Sequence, residues 1–101
     1  MSSRLDLQAL LESILGSRNV YFQPPESIKM NYPAIVYGLE KIENMFADDR
    51  VYLSQKAYSI TVIDKDPDSE IIDKLVALPK CRFNRHFKSE NLNHDVFSLY
   101  Y

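Results

Sequence analysis

Apolar residues recur along this chain with two different periods. Leu7, Leu10, Leu11, Ile14 and Leu15 stand at offsets 0, 3, 4, 7 and 8, which places them on one stripe of an α-helix. Ser2 or Ser3 can cap that helix, Asp6 favours its first turn, and Gly16 suits the left-handed position just past its end. The spacing predicts a helix over 4–15. A second stripe, Ile71, Ile72, Leu75, Val76 and Leu78, predicts a helix over 68–78 that Pro79 stops. Asp66 is the expected cap, with Pro67 at the first helical position.

Between and after the helices the period falls to two. Asn19-Val20-Tyr21-Phe22-Gln23 is a short β-prone run ended by Pro24-Pro25, since proline has no N–H to give a ladder. Residues 26–31 read as a loop. Tyr32-Pro33 marks an extended entry into the strand Ala34-Ile35-Val36-Tyr37, which can continue to Ile42. In Lys56–Asp64, the clearest strand, Tyr58, Ile60 and Val62 share one face, and Ser59, Thr61 and Ile63 the other. Arg82–Phe87 alternates loosely, residues 89–93 are turn material, and Val96–Tyr101 is the last strand. Asn44, Ala47, Asp48, Asp49 and Arg50 break any clean period over 43–54, which reads as a long, partly mobile hairpin loop exposing Met45, Phe46 and Tyr52. The fold class expected is α+β in one domain over 1–101, in the order α-β-β-β-α-β-β. Consecutive strands can pair as antiparallel hairpins everywhere except across the second helix. Both amphipathic helices would cover one face of a single, mostly antiparallel sheet, leaving Tyr and Ser/Thr side chains on the other.

Composition narrows the function classes. At 101 residues there is room for one modest core and no second lobe. The formal charge of −2 argues against a general nucleic-acid binder, whose affinity comes from a basic face. No apolar run approaches the ~20 residues that span a bilayer, and Asp6 stands where a signal peptide would be apolar. Cys81 is the single cysteine, so no internal disulfide forms and a reducing compartment is the simple reading.

Candidate chemistry is sparse. Asp64-x-Asp66-x-Asp68 opens like a calcium loop, but Ser69 and Leu75 occupy the positions where an EF-hand needs Gly and Glu. Cys81, His86 and His94 match no zinc spacing and lack a fourth ligand. Cys81 with either histidine is a conceivable nucleophile–base pair, yet nothing in the sequence orients it. Gly16 and Gly38 are the only glycines, too few for a phosphate-cradling loop. The expectation is no enzyme, no cofactor and no metal. Arg82, Arg85, His86 and Lys88 form a basic cluster beside Phe83 and Phe87. It reads first as a strand edge guarded by charge, then as a contact for an acidic protein, and last as a nucleic-acid contact. Seven tyrosines and five phenylalanines exceed what one small core needs. They point to protein contact, the plainer account being a half-exposed sheet face.

With the segments placed, the chain resembles the tail terminator (tail completion) proteins of long-tailed phages and prophages, also labelled minor capsid or neck proteins. The resemblance covers most of the chain. It rests on Tyr32-Pro33-Ala34-Ile35-Val36-Tyr37, on Tyr58-x-Ile60-x-Val62-x-Asp64, on Asp66-Pro67-Asp68-Ser69-Glu70 opening a helix that ends at Leu78-Pro79, and on Asn91-Leu92-Asn93-His94-Asp95 before a strand ending in Tyr100. It implies a structural, non-enzymatic virion protein at the tail or neck, assembled in the bacterial cytoplasm. Six copies would form a ring that caps the head-proximal end of the tail tube, stops its polymerisation and offers a head-docking surface. The implied partners are other copies of the chain, the tail tube protein and the head–tail connector, with no membrane and no direct nucleic-acid recognition. A head-completion or connector subunit, or a small interaction module outside phages, is the alternative. On this view the contact residues are Met45, Phe46, Arg50 and Tyr52 in the 43–54 segment, and Arg82, Arg85, His86 and Lys88 in the basic cluster.

Overall fold

A computed structural model describes residues 4–25, 28–47 and 50–101, and for 45–47 and 50–54 the backbone course only. The elements are α1 (Arg4–Leu15), β1 (Val20–Phe22), β2 (Ala34–Ala47), β3 (Arg50–Asp64), α2 (Glu70–Val76), β4 (Cys81–Ser89) and β5 (Leu92–Tyr100). This is the expected α+β class and the expected order along the chain. Helix α1 has the expected bounds, and Gly16 ends it at φ +79° with its N–H donating to Glu12. Its expected cap, Ser2 or Ser3, lies outside the described residues, as do Glu26 and Ser27 of the expected loop.

The strands form one sheet ordered β1-β2-β3-β5-β4. Two pairings differ from consecutive hairpins. Strand β1 runs parallel to β2, Val20 opposite Ile35 and Phe22 opposite Tyr37. Strand β3 pairs with β5, Ile60 opposite Phe97, and β4 lies outside β5 at the edge. Burial gives the reason. Asp95, Phe97 and Leu99 alternate inward along β5, whereas every residue of β4 after Cys81 is exposed. Only β5 carries a pattern fit for the interior.

The core lies between the sheet and both helices. Leu7 and Leu11 of α1 and Ile71 and Leu75 of α2 pack on Val20, Ile35, Tyr37, Tyr58, Ile60, Val62, Phe97 and Leu99. The Tyr58–Ile60–Val62 face is the buried one, as the alternation predicts. Tyr37 is fully buried; its hydroxyl donates to Gln8 and accepts from Arg4 Nη1. Part of the aromatic surplus is therefore core.

Helix α2 is shorter than its apolar stripe implies. Its cap is Ser69, whose hydroxyl accepts from Ile71 N–H at 3.3 Å, and not Asp66. The Asp64 carboxylate instead accepts from Asp66 N–H, and Asp66 from Asp68 N–H, so both aspartates are used in the turn before the helix. The Tyr32–Pro33 peptide bond is cis.

The largest correction concerns 43–54. It is no long loop: β2 and β3 stay paired until Ala47 stands opposite Arg50. Strand pairing by itself demands no alternation, so Asn44 and the charges around it hid a strand that Val51, Tyr52 and Leu53 favour. Fifteen residues of β3 at about 3.3 Å each span roughly 50 Å, matching the 51 Å long axis of the molecule.

Candidate assembly surface

Three features lie outside the helix-braced core. The first is the distal half of the β2–β3 hairpin. Strand β1 pairs with β2 only over 35–37, and β5 pairs with β3 only over 57–64. Beyond those limits, residues 40–47 and 50–56 run as a two-stranded arm. Its root is marked on both sides. Gln23 Oε1 accepts from Leu39 N–H at 3.3 Å, and the Gln23 side chain lies over Gly38, where a Cβ would meet its Cγ at 3.1 Å. On the other side Tyr101 N–H donates to Lys56 C=O at 3.0 Å. A bulge at Glu40 separates arm from base. Leu39 and Ile42 are 45% and 50% exposed at the root.

The second feature is the sheet face turned away from the helices. Its hydroxyls and charges form two cross-strand networks. Asn84 Nδ2 donates to Ser98 Oγ at 2.7 Å, and Ser98 donates to the Glu40 carboxylate at 3.2 Å. Lys41 Nζ lies 2.8 Å from Glu43 Oε1, which also accepts from the Tyr100 hydroxyl at 3.2 Å. These bonds hold the Glu43 carboxyl below the usual carboxylate range, Lys41 first and Tyr100 second. Glu43 first and Tyr100 second raise the Lys41 ammonium.

The third is the edge strand β4. Its register splits the basic cluster between two faces. Arg82 and Arg85 stand opposite Ser98 and Val96 on the open face; His86 and Lys88 stand opposite Asp95 and Asn93 on the helix side. The shift comes from a bulge at Asn84. The Arg85 guanidinium lies 5.2 Å from the Phe87 ring centroid, and Phe87 stacks on His94 at 4.7 Å. On the other face, Phe83 meets Phe97 edge-on, and His86 Nδ1 lies 2.6 Å from the buried Asp95 carboxylate. That buried partner was not legible, because Asp95 sits in turn-like sequence and only the register reveals which face it takes.

Of the sequence-derived contact residues, Arg82, Arg85, His86 and Lys88 are all exposed on β4. Met45, Phe46, Arg50 and Tyr52 fall on the arm, and their side chains lie outside what is described. The arm continues β2 and β3, and β4 lies beyond β5 at the sheet edge, so the two groups sit on different elements.

Little here organises chemistry. Burial pushes the Cys81 thiol up, with a hydrogen bond to the Arg82 backbone opposing, which disfavours the thiolate. His86 stands four register positions away along the strand and is paired with Asp95; His94 is on the other face. Among the described residues no three His, Cys, Asp or Glu side chains gather to hold a metal. No helix there is long and apolar enough to cross a membrane. Among the described residues the sheet carries shallow hollows, two of which stand out. One of about 280 Å³ lies on the open face between Gln23, Gly38, Ser59 and Thr61; the other, about 250 Å³, lies between Leu10, Leu78, Leu99 and Tyr101. No protein-family model matches the chain, and a search of curated proteins returns no match.

Proposed function

We propose that this chain is a structural assembly subunit of the kind its sequence resembles: a phage tail terminator that rings the head-proximal end of the tail tube, stops its growth and presents a docking surface to the head. The observation that carries the reading is the arm. An isolated two-stranded hairpin is marginally stable in water. This one extends beyond its neighbouring strands with apolar Leu39 and Ile42 exposed at its root. Such an element earns its length by meeting another surface. The edge strand β4, exposed from Arg82 onward and rich in Arg and Lys, supports the same reading. A heterologous contact between two such different surfaces closes into a ring when its rotation permits.

Deleting the gene from its phage or prophage and imaging the lysate by negative-stain electron microscopy tests the assignment. Overlong headless tubes beside DNA-filled heads are expected. Normal tails beside defective heads would move the subunit to the head side of the neck. Normal infectious virions would overturn the phage reading and leave an interaction module.

A further inference from the structure

Resting on the assembly-subunit reading, we infer that the partner of β4 is the arm of a second copy of this chain. The free edge of β2 in one molecule, residues 40–47, pairs with the free edge of β4 in the next, residues 81–89. Copies then add head to tail into one continuous sheet.

Three observations converge on this pairing. The first is length. On the β2 side, β1 ends at Phe22 and the Gln23 amide closes the edge at Leu39, so the open stretch begins at Glu40 and runs eight residues to Ala47. Strand β4 offers nine, Cys81 to Ser89, with β5 on its inner side and no described strand on its outer side. The second is charge. Strand β4 carries Arg82, Arg85 and Lys88 and no acid, a charge of +3 in a chain whose total is −2. The rest of the molecule is thus acidic. The open edge 40–47 holds Glu40 and Glu43 against Lys41 alone, a net −1. The other edge of the arm has the wrong sign: residues 50–56 contain Arg50 and Lys56 and no acid, so like charges would face β4 there. The third is topology. The two edges lie on opposite sides of a single five-stranded sheet, so the pairing cannot be satisfied within one molecule and repeats from copy to copy.

Charge and a bulge are also the devices by which strand edges avoid indiscriminate pairing. Both are present on β4, which resists neutral or basic edges and admits an acidic one. Specificity then arises from repulsion of wrong partners as well as attraction of the right one. Pairing also covers Ile42 on one edge, and Phe83 and Phe87 on the other, each left exposed in the single chain.

The experiment is sedimentation velocity on the full chain at low and high salt, with circular dichroism confirming that each variant stays folded. R82E/R85E reverses the β4 edge and E40K/E43K reverses the arm; all four side chains are exposed. The wild type is expected to self-associate at low salt and to dissociate as salt screens the contact. Each variant alone is expected to lose on the order of tenfold or more in association. Mixing the two restores it, because the acidic β4 of one then faces the basic arm of the other and the remaining edges keep their native signs. The chain carrying all four reversals likewise associates by itself. Association untouched by either reversal, or a mixture no better than its components, overturns the edge pairing and leaves the assembly reading standing. A wild type that stays monomeric at near-millimolar concentration in low salt also overturns it. Infectious particles from the gene-deleted phage remove the assembly reading itself, whatever the sedimentation records.

Discussion

The two halves of the β2–β3 hairpin share one pair of strands and one ladder, yet they are different kinds of structure. In the base, Tyr37, Tyr58, Ile60 and Val62 are buried beneath two helices, and the flanking strands β1 and β5 complete the sheet. In the arm, the same strands continue without flanking strands; Ile42 is half exposed, as is Leu39 at its root. Both halves are paired, the arm with an irregularity between Met45 and Phe46, but Ile42 is half exposed where Tyr37 and Ile60 are buried. Burial supplies most of the driving force for folding, and a hydrogen bond exchanged with water contributes about 1 kcal/mol net. The base therefore holds the fold, and the arm is carried by it.

The largest expected effect follows directly. Phe97→Ala empties a fully buried site under both helices and is expected to cost about 3–5 kcal/mol. Urea denaturation should show this as a lower midpoint at unchanged slope. Ile42→Ala, on the arm, is expected within about 0.5 kcal/mol of wild type, as for surface substitutions generally. If Ile42→Ala cost as much as Phe97→Ala in the single chain, arm and base would be one cooperative unit and the contrast would fail.

Hydrogen exchange reads the same contrast without mutation. Amides of 41–47 and 50–56 are expected to open at free energies roughly 2 kcal/mol or more below those of 57–63, through local opening that leaves the base intact. Under assembly conditions the arm's β2 amides should gain protection and its β3 amides should not, because only the acidic edge is matched to β4. Equal protection along all of β3 in the single chain would mean that the arm needs no partner.

A smaller effect reaches the base alone. The Ser69 hydroxyl caps α2, and Ile71 and Leu75 of that helix are buried against the sheet. Ser69→Ala is expected to cost about 1 kcal/mol. Asp66→Ala, at the cap that the sequence favours, should cost less, since Asp66 serves only an exposed turn. Equal losses would return the cap to Asp66.

The same contrast explains what was legible in the sequence. Wherever a face is buried, the pattern shows it: Leu7–Leu15 for α1, Tyr58–Val62 for β3, Ile71–Leu78 for α2. Pairing by itself leaves no such mark. Residues 43–54 read as a loop because alternation is a signature of burial and not of pairing. Strand order was hidden for a related reason. The sequences of β4 and β5 both alternate, and only the charges of Arg82, Arg85 and Lys88 hint that β4 is the outer one. The candidate surface was half legible: composition located the β4 cations, but the split of Arg82 and Arg85 from His86 and Lys88 depends on a bulge at Asn84 that no local signal announces. The parallel β1–β2 pairing rests on three residues, too few to carry a register.

The smallest effect concerns one of the ties from the arm to β5, the contact of Glu43 with Lys41 and with Tyr100. Both charged groups are half exposed, so the pair contributes little to stability. It is nevertheless readable by titration. Glu43 is held below its ordinary value, about 4.3 in the unfolded chain, so its contribution is complete above that pH and is lost as pH falls through the lower folded value. Lys41 is raised, so its contribution is complete below about 10.4 and is lost only as pH rises through its higher folded value. The tie is therefore intact across the neutral range and opens on the acid side through Glu43. Carboxyl NMR should place Glu43 below a free glutamate. Lys41→Met should move it up furthest and Tyr100→Phe less, in the order of their influence, with the urea midpoint nearly unchanged in both. Faster exchange at 41–44 in Tyr100→Phe, with 57–63 unaffected, would show that this contact steadies the arm against β5. A Glu43 that titrates as a free glutamate in the wild type would mean that this contact does not steady the arm.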